Sequence, residues 1–415
     1  MRFEDASTPA VVLGCFRHGG LAIVRSLGRL GVPVYAVHAD RWTPGLFSRY
    51  CREGVLWDVR TSSAEQSVRF LGDLGRRIGR RSVLIPTSDI GAMFVADEAE
   101  RLAEWFIFPR QDRDLIRALC SKREMYHLAG KYNVPAPRTA FPRSRADVVQ
   151  YLETAHLPVL LKPIYSDLPG RAVAPMVLCH TKQELIARYD AVEDPSMPNL
   201  MLQEFIPGGD EMTFTFNGYF DGDGSCKVAF TGRKLRNYPP YFGQASLGIC
   251  VHNDVVAKTT IDFMTAIGYR GPLDLGYRFD TRDGRYKVND INPRIGAMFR
   301  LFVGQNGMDV ARALYQDMTG QPVLASGTHE GRKWIVEDCD WVSALRYCRD
   351  GRLTLKGWRR SLQGINETSY FAKDDLWPVA GAVAADVRGL VNYWRLAKRP
   401  GGPYLDVGPK ARTTA

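Results

Sequence analysis

The chain has 415 residues, with 55 lysine or arginine residues, 45 aspartate or glutamate residues and a formal net charge of +10. Hydrophobic residues make up 45% of the sequence and charged residues 24%, which is typical of folded globular proteins and excludes wholesale disorder. No apolar run is long enough to span a membrane, and the first residues do not have the pattern of a signal peptide. The basic residues are scattered along the chain, so no nucleic-acid partner is expected.

The eight cysteines lie at least nine positions apart, so the sequence contains neither a CxxC motif nor the spacing of a zinc ribbon. Thiols distributed in this way are expected to be reduced and mostly buried, which is typical of a cytoplasmic protein. The modest positive charge would favour an anionic ligand such as a nucleotide.

The first part of the chain alternates strand and helix patterns. An apolar run at 10–14 precedes a helical pattern at 21–30, and a second strand pattern follows at 32–37. A further helix and a further strand come next in the sequence. Residues 1–115 are therefore predicted to form an α/β substrate domain with an open parallel sheet.

From about residue 116 the pattern changes to antiparallel strands among helices. One helix is predicted at 115–131, and Asp-Gly turns separate two later strand pairs. Residues 116–325 are predicted to form an α+β domain with two subdomains. Residues 326–415 are predicted to form a partly helical C-terminal extension, with candidate helices at 340–350 and 381–398.

Residues 288–294 carry the strongest chemical signal. On a strand, Asp290, Asn292 and Arg294 point to one face and present a carboxylate, an amide oxygen and a guanidinium group. Mg²⁺ prefers oxygen ligands completed by phosphate and water, so Asp290 and Asn292 would suit it, and Arg294 would neutralise phosphate oxygens. Asp274, on the preceding strand, could supply a further oxygen. Taken alone, a segment of this kind is more often a solvated strand end capped by a turn.

Two further segments become informative only in combination with this one. Lys162 ends an apolar strand and is suited to phosphate oxygens, although a single strand-end lysine is more often an exposed edge residue. The strand within 203–211 stops at a Pro-Gly pair, so its backbone could meet an adenine edge and a nearby carboxylate could bind ribose hydroxyls. The simpler alternative is a strand–turn–strand connection. Lys122, in a predicted helix, has a weaker signal still.

In this order, the segments resemble the ATP-grasp superfamily of carboxylate ligases, over roughly residues 10 to 320. The matching pieces are Lys122, 161–163, 202–208, Glu211 and 290–294. Residues 231–240 and 280–287 are similar to a bacterial subgroup of predicted carboligases, or D-aspartate-ligase-like proteins. The resemblance implies that an N-terminal domain of pre-ATP-grasp type precedes an ATP-grasp domain. It also implies a reaction in which a carboxylate is activated by ATP as an acyl phosphate and is then joined to an amine.

The resemblance implies a role for each candidate residue. The residues that would bind ATP are two phosphate-contacting lysines, the strand end that meets the adenine and a ribose-binding carboxylate: Lys122, Lys162, Gln203, Glu204, Ile206 and Glu211. The residues that would hold Mg²⁺ are Asp290, Asn292 and, in place of a carboxylate that other members carry near Gly276, Asp274. The cations that would face the transferring phosphoryl group are Arg294, Arg233 and Arg236.

Two other functions stay open at this point. A bicarbonate-activating carboxylase or carbamoyl-phosphate-type enzyme would use the same ATP site, although the chain lacks a Met-Lys-Met biotin attachment site. A nucleotide-binding regulator without turnover would be favoured by a damaged metal site, but Asp290 and Asn292 are both present. The expected partners are ATP and a small carboxylate and amine, with amino acids as candidates. A homodimer is compatible with the sequence.

Several weaker signals concern loops and the tail. The loop at 14–20 could hold an anion at a helix N-terminus or be a tight turn, and residues 87–89 could line the same cleft. The loop at 164–171 lies where the family has a mobile phosphate lid. The tail pattern at 383–398 predicts a basic amphipathic helix, for which docking on the protein itself is favoured over membrane contact.

Overall fold

The computed structural model of the chain describes residues 1–164, 176–241 and 243–384. The N-terminal elements are, in chain order, β1 (Ala10–Leu13), α1 (Arg17–Gly28), β2 (Val34–His38), β3 (Cys51–Leu56), α2 (Ala64–Ile78), β4 (Ser82–Pro86), α3 (Asp89–Asp97), α4 (Ala99–Leu102) and β5 (Phe106–Ile107). Their strands pair in parallel in the order β3-β2-β1-β4-β5, as predicted for an open α/β sheet. Strand β1 is buried at all four positions and lies at the centre of this sheet.

A second, smaller sheet follows. Its elements and the helices around it are α5 (Arg113–Cys120), α6 (Lys122–Lys131), β6 (Thr139–Ala140), α7 (Arg145–Thr154), β7 (Val159–Pro163), β8 (Val177–Cys179), α8 (Lys182–Val192) and β9 (Leu200–Glu204). The strands are antiparallel in the order β6-β9-β7-β8. The small sheet places the ends of β7 and β9 side by side.

The largest sheet has seven strands. The remaining elements are β10 (Thr213–Phe220), β11 (Cys226–Tyr238), β12 (Gln244–Cys250), α9 (Asp254–Ala266), β13 (Gly271–Asp280), β14 (Arg285–Asn292), α10 (Val310–Met318), β15 (Lys333–Ile335), α11 (Glu337–Arg349), α12 (Leu355–Ser361) and β16 (Ile365–Thr368). The strand order is β14-β13-β10-β11-β12-β15-β16. Strands β15 and β16 belong to the predicted C-terminal extension. This part of the chain therefore adds two strands to one edge of the seven-stranded sheet. Helix α9 covers one face, where Phe263 and Met264 pack with Phe216 and Leu275.

The single helix predicted at 115–131 is wrong, because the chain forms two helices there. Ser121 separates them in an extended conformation, and its hydroxyl accepts a hydrogen bond from the backbone N–H of Glu124. A serine followed three residues later by glutamate is a signal for a helix start. The break makes Lys122 the first residue of α6 and turns its side chain toward β14.

A buried ion pair connects the C-terminal extension to the N-terminal sheet layer. Arg25 of α1, 4% exposed, donates from Nε to the carboxylate of Asp375 across 2.9 Å. The same guanidinium donates to the backbone carbonyl oxygens of Ser369 and Tyr370. An arginine that is removed from water needs such a complete set of acceptors, so this contact fixes how the extension packs on α1.

Two predictions fall wholly or largely outside the described residues. Of the loop at 164–171, only Ile164 is described, and most of the candidate tail helix lies beyond residue 384. Residues 377–384 are helical. Within the ranges that the structure describes, no helix is long and apolar enough to cross a membrane.

Candidate functional site

The two predicted phosphate-binding lysines lie close to strand β14. Lys122 donates from Nζ to Oδ1 of Asp290 across 2.6 Å. Lys162, in β7, is 9% exposed, and its charge acts on Asp290 together with that of Lys122. The structure therefore brings α6, the small sheet and the large sheet together around one carboxylate.

The side chain of Gln203 holds Lys162 in place. Its Oε1 accepts from Lys162 Nζ at 2.7 Å, and its Nε2 donates to the hydroxyls of Tyr126 at 2.7 Å and Thr139 at 3.0 Å. Tyr126 in turn donates to the backbone carbonyl of Asn289, next to Asp290. The sequence prediction placed Gln203 at the adenine, but the structure directs its amide group inward to support Lys162.

Burial and charge act in opposite directions on these ionisable groups. Burial lowers the pKa of Lys162 to about 7, and the charge of Lys122 adds to this effect. Burial raises the pKa of Asp290, but the charge and hydrogen bond of Lys122 outweigh burial and lower the pKa to about 2. Asp290 is therefore ionised at neutral pH, while Lys162 is poised to gain a proton when an anion approaches.

The predicted metal ligands share one face of the large sheet. Asp274 lies opposite Asn292 across β13 and β14, and Asp290 lies opposite Gly276. The amide nitrogen of Asn292 is 3.3 Å from Oδ2 of Asp274 and 3.3 Å from Oδ2 of Asp290, so one amide bridges the two carboxylates. Burial, with a contribution from the charge of Asp290, raises the pKa of Asp274 to about 6. This carboxylate would be stabilised by a cation.

The donor set fits a hard cation. The part of the chain that the structure describes contains no group of three or more histidine, cysteine, aspartate or glutamate side chains that could hold a metal ion. A cation here would depend on the oxygens of Asp290 and Asp274, completed by phosphate oxygens and water, which is how Mg²⁺ is usually bound. Asn292 would have to rotate its amide oxygen away from Arg294 to join them. A Cβ atom on Gly276 would meet nothing closer than Asp290 at 3.8 Å, so there is space above the sheet beside these ligands.

Arg294 links the predicted metal ligands to the N-terminal parallel sheet and its helices. Its Nη2 donates to Oδ1 of Asn292 at 3.0 Å, and its Nε donates to Oδ1 of Asp89 at 2.7 Å. Asp89 begins helix α3, after the parallel strand β4, and Ser88 caps that helix. The weak sequence signal at 87–89 thus corresponds to a contact with a predicted catalytic residue.

Two glycines allow this close approach. A side chain on Gly296 would overlap the carboxyl group of Asp274, and a Cβ atom on Gly19 would lie 3.0 Å from the Cα atom of Ala297. The loop after β14 therefore passes directly over Asp274 and against the start of α1. The loop at 14–20 contributes a close packing contact between the domains.

Arg233 and Arg236, which were predicted to face the transferring phosphoryl group, do not lie beside Asp290 and Arg294. Arg233 pairs with Phe214, which also pairs with Tyr277, so these three side chains share the sheet face opposite to that of Asp290. Arg236 forms a buried two-pronged ion pair with Asp340 of α11, at 2.8 and 3.0 Å. Its role is to hold the C-terminal extension.

Lys234, rather than the predicted Arg233 and Arg236, lies on the face of the sheet that carries the candidate site. It lies on the same face as Gly232, Thr215 and Gly276, and therefore on the face of Asp290. Burial lowers its pKa, and the charges of the nearby carboxylates of Asp274 and Asp290 oppose that effect. Alternation along the strand would have identified this residue, had the register been known.

The strand end predicted to meet adenine is held by Arg278. Its guanidinium donates to the backbone carbonyls of Ile206 at 2.9 Å and Gly208 at 2.6 Å. Glu204 accepts from Lys287 at 3.1 Å and from Arg282 at 3.0 Å, so its carboxylate serves an ion-pair network. Glu211 is exposed in the turn Asp210–Met212 that follows.

The fold and the site together define a class. A small antiparallel sheet carries Lys162, a larger sheet carries Asp290 and Asn292, and a parallel N-terminal domain reaches the same group through Asp89. This is the arrangement that the resemblance to ATP-grasp ligases predicts.

Comparisons with known proteins agree with this class. The sequence is 29% identical over 299 residues to D-aspartate ligase of Enterococcus faecium, which covers 68% of this chain and 70% of the relative. L-amino acid ligase from Bacillus licheniformis superposes with a TM-score of 0.57 at 16% identity, over 76% of this chain and 75% of its own. N5-carboxyaminoimidazole synthetase from Staphylococcus aureus, complexed with ADP, superposes with a TM-score of 0.59 at 14% identity, over 80% and 82%. No family model matches the chain.

The relationship to the D-aspartate ligase supports the prediction of a carboxylate–amine ligase, and the solved structures support the predicted fold. The structural matches have low sequence identity and therefore bear on the fold alone. The staphylococcal enzyme is named for a carboxyamino product, so the fold does not separate an amide-forming ligase from an enzyme that carboxylates an amine. The relative found by sequence is a ligase of an amino acid.

Proposed function

We propose that this chain uses ATP and Mg²⁺ to activate a small carboxylate of the amino-acid type and to join it to an amine. The observation that supports this proposal most directly is the clustering of five predicted site residues: Lys122, Lys162, Asp290, Asn292 and Arg294. Amino-acid substrates are supported by the sequence relationship to a D-aspartate ligase. A group of this kind positions and neutralises phosphate, which is most of what phosphoryl transfer requires.

The nucleotide would lie between the small and large sheets. Lys122 and Lys162 would contact its phosphates, the Ile206 backbone its adenine and Glu211 its ribose. Lys234 would join the phosphate contacts, since it shares the face of Asp290 and feels its charge. Asp290, Asn292 and Asp274 would hold Mg²⁺, which supplies charge neutralisation between the phosphates.

Two bond exchanges would follow. A carboxylate oxygen would attack the γ-phosphorus, and ADP would leave with the bridging oxygen's electron pair. The amine nitrogen would then attack the acyl carbon, inorganic phosphate would leave, and the nitrogen would lose a proton. Arg294 would stabilise the charge on the transferred group in both steps, and Asp89 would fix the orientation of Arg294.

The N-terminal residues 1–115 would form one wall of the acceptor site. The support for this is the pair between Asp89 and Arg294, together with the contact of Gly19 with Ala297. Ligands of open α/β sheets bind at the carboxyl ends of the strands, which is where Asp89 lies.

The test is release of ADP and phosphate by the purified protein with ATP and Mg²⁺, in the presence of pooled amino acids and small carboxylates. Asp290→Asn and Lys162→Ala should each abolish release. Lys258→Ala is a matched control, because Lys258 forms an exposed pair with Asp262 on the outer surface of α9. Release that requires both a carboxylate and an amine supports the proposal. Release with bicarbonate as the only carboxyl source would favour the carboxylase alternative instead.

A further inference from the structure

Helix α11 of the C-terminal extension presents a polar face to the segments that flank the proposed nucleotide site. Asp340, Ser343 and Tyr347 are spaced at three and four residues, so they lie along one side of the helix. All three are buried. Asp340 binds Arg236, and the Ser343 hydroxyl donates to the backbone carbonyl of Asn237 at 2.7 Å.

The hydroxyl group of Tyr347 connects two loops. It donates a short hydrogen bond to the carboxylate of Asp210, and it accepts a hydrogen bond from the backbone N–H of Tyr241 at 2.8 Å. Asp210 is buried and also accepts from the backbone N–H of Asn237 at 3.1 Å. The ring of Tyr347 packs against that of Tyr241, with 4.8 Å between the centroids.

One of these loops carries a residue assigned to the nucleotide, and the other contacts one. Asp210 immediately precedes Glu211 in the turn Asp210–Met212, so fixing its side chain fixes the start of that turn. The loop after Tyr238 contains Gly243, whose carbonyl accepts from Lys234 Nζ at 3.1 Å. The Tyr347 hydroxyl on α11 thus helps to fix the positions of Glu211, the proposed ribose contact, and of Lys234, a proposed phosphate contact.

We propose that Tyr347 is a positioning residue for ATP, through which the C-terminal extension completes the nucleotide site. This inference rests on the proposed function, because it requires that ATP binds between Glu211 and Lys234. Tyr347 acts through Asp210 and through the segment that includes Tyr241 and Gly243. It does not touch the nucleotide in this arrangement.

The experiment is the affinity for ATP with Mg²⁺, measured by titration calorimetry on the full chain. Tyr347→Phe keeps the ring and removes the hydroxyl, so the Asp210 carboxylate loses this donor and keeps the backbone N–H of Asn237. We expect the dissociation constant to rise by about tenfold, because a buried hydrogen bond to a charged group is lost. Tyr219→Phe is the matched control, since the buried Tyr219 hydroxyl donates to Asp317 at 2.6 Å in a different part of the fold.

Both variants should unfold at similarly reduced temperatures, but only Tyr347→Phe should bind ATP more weakly. Equal affinities for wild type and Tyr347→Phe, or equal losses in both variants, would refute the positioning role. If Tyr347→Phe does not fold, Ser343→Ala should show a smaller loss of affinity through the same face. Absence of ATP binding by the wild-type chain would refute the proposed function and this inference with it. If the wild type binds ATP and Tyr347→Phe binds it equally well, only the positioning role of Tyr347 is refuted and the proposed function is unaffected.

Discussion

Replacing Lys162 with methionine should stabilise the unliganded protein near pH 7 and abolish its use of ATP. Burial, together with the charge of Lys122, lowers the pKa of Lys162 from its ordinary value of 10.5 to about 7. At about 1.4 kcal/mol per pKa unit, keeping the ammonium group costs the folded protein on the order of 5 kcal/mol. The variant leaves Gln203 Oε1 without its donor, which costs about 1–3 kcal/mol. We therefore expect a net gain of about 2–4 kcal/mol in the free energy of unfolding.

This gain should shrink as the pH rises. Between pH 7 and 10.5, the unfolded chain keeps a proton on Lys162 that the folded protein has released. The unfolded state then binds more protons, so the stability of the wild type rises with pH in this window. Methionine carries no such proton, and its advantage should fall by about 2 kcal/mol between pH 7 and pH 9.

The assay is urea unfolding followed by tryptophan fluorescence at pH 7 and pH 9, paired with ADP release. Lys258→Met, at an exposed position, should change the free energy of unfolding by less than about 0.5 kcal/mol at both pH values. A Lys162→Met protein that is less stable than the wild type at pH 7 would refute the cost assigned to the buried ammonium. An equal effect at both pH values would refute it as well. Retained ATP turnover would refute the phosphate role.

Four further changes test the site and the fold. Lys234→Met should lower ADP release by about 10²–10³-fold, whereas an unchanged rate would remove Lys234 from the site. Chelation with EDTA should stop ADP release, and added Mg²⁺ should restore it; release that persists in EDTA would contradict the metal assignment. Arg25→Met leaves the buried Asp375 without its counter-ion, so urea unfolding should show a loss of about 3–5 kcal/mol, and a loss below 1 kcal/mol would show that the pair is dispensable. Gly296→Ala should cost about 1–3 kcal/mol and most of the activity, because the added methyl group overlaps Asp274; full activity would show that the loop can shift.

Strand alternation was enough to predict that Asp290 and Asn292 share one face in the candidate site. Asp290 and Asn292 lie two residues apart, so any strand that contains them presents both to one face, whatever its partners are. The roles of Lys122 and Lys162 were harder to predict, because a single lysine carries little signal. Each becomes a candidate phosphate contact only together with the segments at 202–208 and 290–294. The structure brings both lysines to Asp290, through α6 and through the small sheet.

The residues that sequence reasoning misplaced depend on register and on distant partners. Arg233 and Lys234 are adjacent, so only the pairing of β10 with β11 decides which of them faces Asp290. Arg236 is occupied by Asp340, a residue more than one hundred positions away in a segment with no family signal. Gln203 has the expected position, but its amide is engaged by Lys162, Tyr126 and Thr139. Contacts of this kind are set by tertiary packing, which local pattern does not encode.

The balance of charges in the unliganded site explains how the protein can bury these ionised groups and remain folded without ATP. Lys122 neutralises Asp290, and Arg294 neutralises Asp89 and supports Asn292. If Mg²⁺ and ATP arrive together, Lys122 can exchange Asp290 for a phosphate while the metal binds that carboxylate, and Lys162 can gain a phosphate partner beside Gln203, so no buried charge is left unpaired. ATP alone would leave the lysines shared between phosphate and Asp290, and Mg²⁺ alone would have to displace Lys122. Affinities for the two should therefore be coupled, each strengthening the other by the same factor.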